Sequence, residues 1–201
     1  DGRERKILIV TPPEIKSSWE KTIELFDKNK DNGIGNYIQF ITTGSIGKLV
    51  DAEDEFVDDL DTEEDTEATL NINELTDRQF GLILIDESHK FRNRGTQMYE
   101  AMDDLIGSIF PNPYVVLLSA TPQNNSPRDL KNQIYLFQRE PNNTTLDRIE
   151  GRKLDTFFNE KERLFQELKR NPNANNKKLI KLSNEIREKV LDDLVVRRTR
   201  T

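Results

Sequence analysis

The sequence predicts an α/β fold: a parallel sheet with helices on both faces, followed by a helical hairpin. Three observations carry that expectation. Four short runs, Lys6 to Val10, Tyr37 to Thr42, Leu82 to Ile85 and Tyr114 to Leu118, are apolar or β-branched almost throughout. Continuous rather than alternating runs are the mark of strands buried on both faces. Helical spacing follows the first, third and fourth of these runs, the order that builds a parallel sheet. Three of the runs also end in small or polar tripeptides, Thr11-Pro12-Pro13, Asp86-Glu87-Ser88 and Ser119-Ala120-Thr121. In open α/β sheets ligands collect at the carboxyl ends of the strands.

After the first strand, Pro13 suits the opening turn of a helix. Ile15, Trp19, Ile23 and Phe26, spaced by four, four and three, give that helix one buried face. On this pattern Trp19 is expected to pack in the core. Asp31-Asn32-Gly33 is a turn into the second strand, which is rich in β-branched and aromatic residues. Met98, Met102, Leu105, Ile106 and Ile109 share a face of a helix over Gln97 to Phe110, broken by Pro111-Asn112-Pro113. The fourth strand is read as buried, and Asp129 to Phe137 as a short helix. Beyond Gly151, Phe157, Lys161, Leu164, Phe165 and Leu168 fit one helix, and Leu179, Leu182, Ile186, Val190 and Leu194 another. The turn Asn171 to Asn176 joins them into a hairpin. The expected division is a sheet domain over 1–150 and a helical extension over 151–201.

Composition narrows the function classes. The 201 residues include no Cys, one His (His89) and one Trp (Trp19). Disulfide frameworks, Cys-based zinc sites and Cys nucleophiles are excluded, and any catalytic triad would have to use His89. There is no apolar run of membrane-spanning length, and an intracellular, cytoplasmic or nucleoid setting is expected. Charged residues make up 33%, above the roughly 25% of an ordinary domain. The net charge of -7 is unevenly placed. Residues 51–69 hold eleven acids and no Lys or Arg, the composition of a solvated insertion. Without them the chain is mildly basic, so its acidity does not argue against a nucleic-acid partner. The stretch from Glu160 onward carries twelve Lys and Arg against seven acids.

Asp86 and Glu87 directly follow four apolar residues. Stranded charge at the exit of a buried strand is costly, and a bound cation would relieve it. Magnesium takes oxygen ligands, often one or two carboxylates completed by substrate phosphates and water. The adjacent acid could then orient or deprotonate a water for attack on phosphate. Two solvated acids at an exposed strand end are the plain alternative.

Several stretches together resemble one family, the Swi/Snf-type branch of the superfamily-two helicases and DNA translocases. Leu84-Ile85-Asp86-Glu87-Ser88-His89 is similar to the DEAH-type second motif, with Ser where Ala is usual. Leu117-Leu118-Ser119-Ala120-Thr121-Pro122-Gln123-Asn124 resembles the third motif. Ile7 to Trp19 looks like motif Ia, Ile41-Thr42-Thr43-Gly44 stands where motif Ib belongs, and His89 to Asn93 resembles the segment that continues the second motif. Val195 to Arg200 looks like the segment that ends the first motor lobe.

The resemblance implies a RecA-like lobe and roles residue by residue. Asp86 would hold the magnesium of a magnesium–ATP complex, and Glu87 would be the base for the attacking water. His89, Ser119, Ala120 and Thr121 would couple the γ-phosphate state to DNA contacts. Thr11, Pro12, Thr42, Thr43 and Gly44 would touch the DNA backbone of the tracked strand, on duplex DNA and without reading sequence. Arg197 and Arg198 would stabilise the end of the lobe. The parent's cofactors would be magnesium and ATP, and its remaining partner the second motor lobe.

Departures temper this. No G-x-x-x-x-G-K-[ST] phosphate loop occurs in the 201 residues; Gly44-Ser45-Ile46-Gly47-Lys48-Leu49 has the wrong spacing and lacks the hydroxyl. The expectation is therefore part of a first motor lobe that holds neither nucleotide nor magnesium tightly by itself. A motor subunit of a restriction or repair system shares the same motifs, and a non-enzymatic α/β interaction module is the reading from another class. With no phosphate cradle, this chain is expected to hydrolyse no detectable ATP. Phosphate release that Glu87→Gln abolishes would overturn that expectation.

Overall fold

The computed structural model describes residues 5–27, 33–46, 80–109, 112–119, 126–140, 142–170 and 176–196. The acidic stretch 51–69, the hairpin turn 171–175, Ala120, Thr121, Arg197 and Arg198 lie outside them. Contacts divide the chain into two compact units, Asp1–Thr121 and Pro122–Thr201.

The first unit is a four-stranded, all-parallel sheet in the order β2-β1-β3-β4. The strands are β1 (Lys6–Thr11), β2 (Ile38–Thr42), β3 (Phe80–Ile85) and β4 (Tyr114–Leu117). Helix α1 (Pro13–Asp27) follows β1, and α2 (Gln97–Ser108) precedes β4. Leu8, Ile9, Val10 and Thr11 are consecutive and all almost fully buried. Successive strand residues point to opposite faces, so β1 is covered on both, as its unbroken apolar run predicts. Ile83 and Ile85 on β3 and Met102 and Leu105 on α2 are also fully buried.

Two expectations need correction. The fourth strand is not buried throughout: Tyr114 is 78% and Val116 41% exposed. Among the described residues β4 pairs only with β3, and these two side chains, two residues apart, point to the same face of the strand. No residue of α1 is buried: Ile15, Trp19 and Ile23 are only half-buried, and Phe26 is 72% exposed. The end of that helix is fastened instead through Asp27, whose carboxylate accepts the Ile34 and Gly35 N–H groups at 2.8 and 2.7 Å. A Cβ on Gly33 would lie 2.6 Å from that carboxylate, so a side chain there would force the carboxylate to shift.

The second unit is helical. It contains α3 (Pro127–Tyr135), α4 (Leu154–Lys169) and α5 (Asn176–Ile186), the last continued by a π-helical turn (Arg187–Leu191) and a short turn (Asp192–Leu194). Ser126 and Asp129 form a reciprocal capping box at the start of α3. One core joins Ile134 of α3 to Leu154, Phe157 and Phe158 of α4 and to Leu182, Ile186 and Val190 of the hairpin's second arm. Leu146 and Ile149, from the irregular segment before α4, complete it. Lys161, 6% exposed, closes the hairpin by pairing with Glu185 at 2.9 Å.

A hydrogen-bonded group ties α3 to α4. Asp155 accepts from the Tyr135 hydroxyl at 2.8 Å, from Lys131 Nζ at 3.1 Å and from Asn159 at 2.7 Å. The Tyr135 hydroxyl holds the Asp155 carboxyl below its ordinary value of 3.8; burial opposes the shift, and Lys131 and Asn159 add to it. A depressed carboxyl stabilises the fold above its unfolded value and loses that contribution as pH falls through the folded one. Asp155 is 40% exposed, so the contribution is that of a screened pair, under about 1 kcal/mol. Asp155→Asn should lower stability by up to that amount at pH 7, with the difference from wild type shrinking below pH 4. Urea melts across that range test it, and a difference constant with pH would refute it.

Candidate active site at the carboxyl edge of the sheet

The turn after β3 is pinned from both sides. The Asp86 N–H donates to Val10 O at 2.8 Å, extending the ladder with β1. Leu118 N–H donates to Ile85 O and Ser88 N–H to Leu118 O, each at 2.8 Å, extending the ladder with β4. Ser88 is 1% exposed, and Phe91, which closes the 3-10 turn Ser88–Phe91, is fully buried. Lys90 N–H returns to Glu87 O at 3.0 Å. Further along, Thr96 caps α2 by accepting the Tyr99 N–H at 3.3 Å. The Asp86–Phe91 stretch is thus a rigid feature of the sheet edge.

Within this turn Glu87 has φ 50 and ψ 45, the left-handed region. It is one of two non-glycine residues with positive φ among the described residues, Arg152 being the other. Such a conformation is uncommon for a side-chain-bearing residue and persists only where the surroundings impose it. Here the backbone bonds on either side impose it. The Glu87 carboxylate lies 2.9 Å from His89 Nδ1. Nδ1 is shielded from solvent and makes no properly directed hydrogen bond, so the contact is one of proximity between an acid and an imidazole nitrogen.

Asp86 is held at both oxygens. Oδ1 accepts the Glu87 N–H at 2.9 Å, and Oδ2 accepts the Trp19 Nε1–H at 2.8 Å, with the Thr11 hydroxyl at a longer 3.5 Å. Trp19 is only half-buried, and core packing, the expectation from helical spacing, leaves out this bond. No local signal could have disclosed it, because donor and acceptor stand 67 residues apart. The carboxylate's acceptor oxygens are therefore partly satisfied by uncharged donors of the protein itself.

Thr11 and Thr42 are register partners at the ends of β1 and β2, so the Ia-like and Ib-like stretches do meet at this edge. Thr11, Thr42 and Thr43 are 0%, 6% and 7% exposed, and Pro12 is also buried. Gly44 is exposed, and Thr42 Oγ1 shares a 2.8 Å hydrogen bond with Ser45 Oγ beneath it. Ser119 follows Leu118 at the same edge.

Asp86 fits a hard cation in part. Its oxygens are the right ligand type, and Oδ1, with a single bond, retains an acceptor position, whereas Oδ2 already takes two. No group of three or more acidic or imidazole side chains among the described residues is arranged to hold a metal. A magnesium here would take most of its ligands from phosphate oxygens and water.

Residues 2–124 match the model of the type III restriction enzyme res subunit family (ResIII), which is helicase-related. The chain belongs to that family. The match spans the sheet unit and stops close to its end. Among solved structures, the SWI2/SNF2 ATPase core of Sulfolobus solfataricus in complex with double-stranded DNA is similar, with a TM-score of 0.52 at 16% identity. The likeness covers 96% of this chain and 34% of that one, so the chain spans about a third of that structure's length. At this identity the likeness shows the fold alone, a RecA-like α/β sheet unit; the helicase relation rests on the ResIII match. No curated protein matches the sequence.

The strain at Glu87 makes a prediction. Glycine pays no penalty for positive φ, so Glu87→Gly should leave stability unchanged or raise it by up to about 1 kcal/mol, whereas Glu87→Gln should be neutral. A denaturant melt in which Glu87→Gly loses more than about 1 kcal/mol would contradict this account of the turn.

Proposed function

We propose that this lobe serves an ATP-driven motor that moves along duplex DNA, with the chemistry seated in the turn after β3. The supporting observation is the joint geometry of Asp86 and Glu87. One acid is locked by three donors while its neighbour is forced into left-handed backbone beside His89. Spending backbone strain to separate the aims of two adjacent carboxylates suits a site in which they have different tasks.

In this reading Asp86 would hold the magnesium of magnesium–ATP, which would supply positive charge against the phosphate charge that develops during transfer. Glu87 orients a water toward the γ-phosphorus and accepts its proton as the new P–O bond forms. The bond from the γ-phosphorus to the bridging oxygen breaks, and ADP leaves with the electron pair. His89, 2.9 Å from the Glu87 carboxylate, is placed to sense the charge on that base. Ser119, with Ala120 and Thr121 after it, carries the signal from the neighbouring strand. Of the residues assigned to DNA, Gly44 offers open surface. Thr11, Pro12, Thr42 and Thr43 are buried, so direct contact by those four would require them to become exposed. Thr11 has a second link, its hydroxyl facing Asp86, which connects the DNA side of the edge to the acid.

Two readings of the motor's wider role remain. The form of the third motif favours a Swi/Snf-type remodelling translocase. The family match over residues 2–124 favours the motor subunit of a restriction or repair system. Both use the same chemistry and the same backbone contacts.

The test is a titration of the chain with labelled duplex DNA at about 50 mM salt, with and without magnesium–ATP, read by anisotropy. Weak binding that falls steeply with salt, as phosphate contacts require, and that ignores ATP is the expected result. Absence of binding even at low salt would overturn the DNA assignment in favour of an interaction module.

A further inference from the structure

Trp19 is the chain's single tryptophan, and the proposed motor chemistry gives its indole nitrogen no task. The indole leaves α1 and donates to Asp86 Oδ2 at 2.8 Å, while the Glu87 N–H holds Oδ1 at 2.9 Å. The terminal torsion of an aspartate is broad and swings unless both oxygens are fixed. Here one oxygen is fixed by its own turn and the other by a helix that starts directly after β1. The donor is also uncharged. A Lys or Arg at the same place would orient the carboxylate but cancel the charge that attracts a cation; an indole orients it and leaves the charge in place.

We propose that Trp19 is a positioning residue for Asp86: its indole N–H sets the plane of the carboxylate that receives the divalent cation. The proposal rests on the reading of Asp86 as a cation ligand given above. Donors behind a metal ligand typically change metal affinity by about 10- to 100-fold when removed. Because the donor sits on α1, a shift of that helix would also change the aim of Asp86 without any movement of β3.

A single tryptophan gives one indole cross-peak in a ¹⁵N-labelled sample of the chain, which makes the bond directly observable. Asp86→Asn should move that peak and speed its exchange with solvent. Mn²⁺ should broaden the peak in wild type, Mg²⁺ should reverse the broadening by competition, and Asp86→Asn should show neither effect. Trp19→Phe should weaken Mn²⁺ binding, read from broadening of the Glu87 amide, about tenfold. Benzothienylalanine at position 19 replaces the N–H with sulfur and keeps the shape of the ring. It should weaken binding equally, which separates the lost donor from lost packing should the phenylalanine variant fold poorly. An indole peak indifferent to Asp86→Asn would overturn the hydrogen bond. Unchanged Mn²⁺ affinity in the benzothienyl variant would overturn the positioning role. A peak that responds to Asp86→Asn in a protein whose wild type takes up no Mn²⁺ would instead overturn the cation-ligand reading of Asp86, and the positioning role with it.

Discussion

The architecture of the sheet edge depends on one constraint: the turn after β3 hangs from both neighbouring strands. Val10 O on one side and Leu118 O on the other receive the N–H groups of Asp86 and Ser88. Residue 87 lies between two fixed points, and its left-handed backbone is the way to bridge them. Buried backbone polar groups must find partners, so the turn cannot relax without leaving N–H and C=O groups unpaired at the edge of the core. The placement of the two residues' backbone follows from main-chain bonding, while the aim of the Asp86 carboxylate also depends on the Trp19 indole.

This changes the electrostatic argument for a cation. From the sequence, two acids at the exit of an apolar strand call for a counter-ion because burial of charge is costly. In the structure Asp86 has a backbone N–H, an indole N–H and, at longer range, a hydroxyl directed at it. Hydrogen bonds to an ionised group are stronger than those between neutral groups, and together these offset the cost of partial burial. The case for a cation therefore rests on orientation rather than on rescue from burial: neutral donors hold the carboxylate still and leave its charge uncancelled.

The parts of the fold legible in the sequence were those written in local periodicity. Lys6 to Val10 and Leu82 to Ile85 are strands because an unbroken apolar run of that length has few other places to go, and the structure extends them only to Thr11 and back to Phe80. The hairpin of α4 and α5 was legible for the same reason. Tyr114 and Val116 were misjudged because apolar character does not tell a central strand from an edge one. Leu146 and Ile149 went unnoticed because they enter the helical core from a segment with no period at all. At the site, the adjacency of Asp86, Glu87 and His89 is a sequence fact. The contribution of Trp19 is a tertiary one, since its spacing places it on a helix face and says nothing of what its N–H meets. The burial of Thr11, Thr42 and Thr43 was likewise hidden, because threonine at a strand end reads equally well as ligand or support.

The same geometry bears on how one lobe can serve different motors. In the proposed reading, every feature of this edge would act on groups common to all duplexes and all nucleotides: a phosphate, its metal, a water and a sugar–phosphate backbone. Contacts of that kind fix register and carry no sequence information. A remodelling translocase and a restriction motor would thus place identical demands on Asp86 and Glu87, and on the strands that hold their turn. Selection for either role would preserve the pinned turn unchanged. That is consistent with a ResIII family match and a SWI2/SNF2 core likeness falling on the same sheet unit. Choice of target then has to be made by surfaces that touch something other than phosphate.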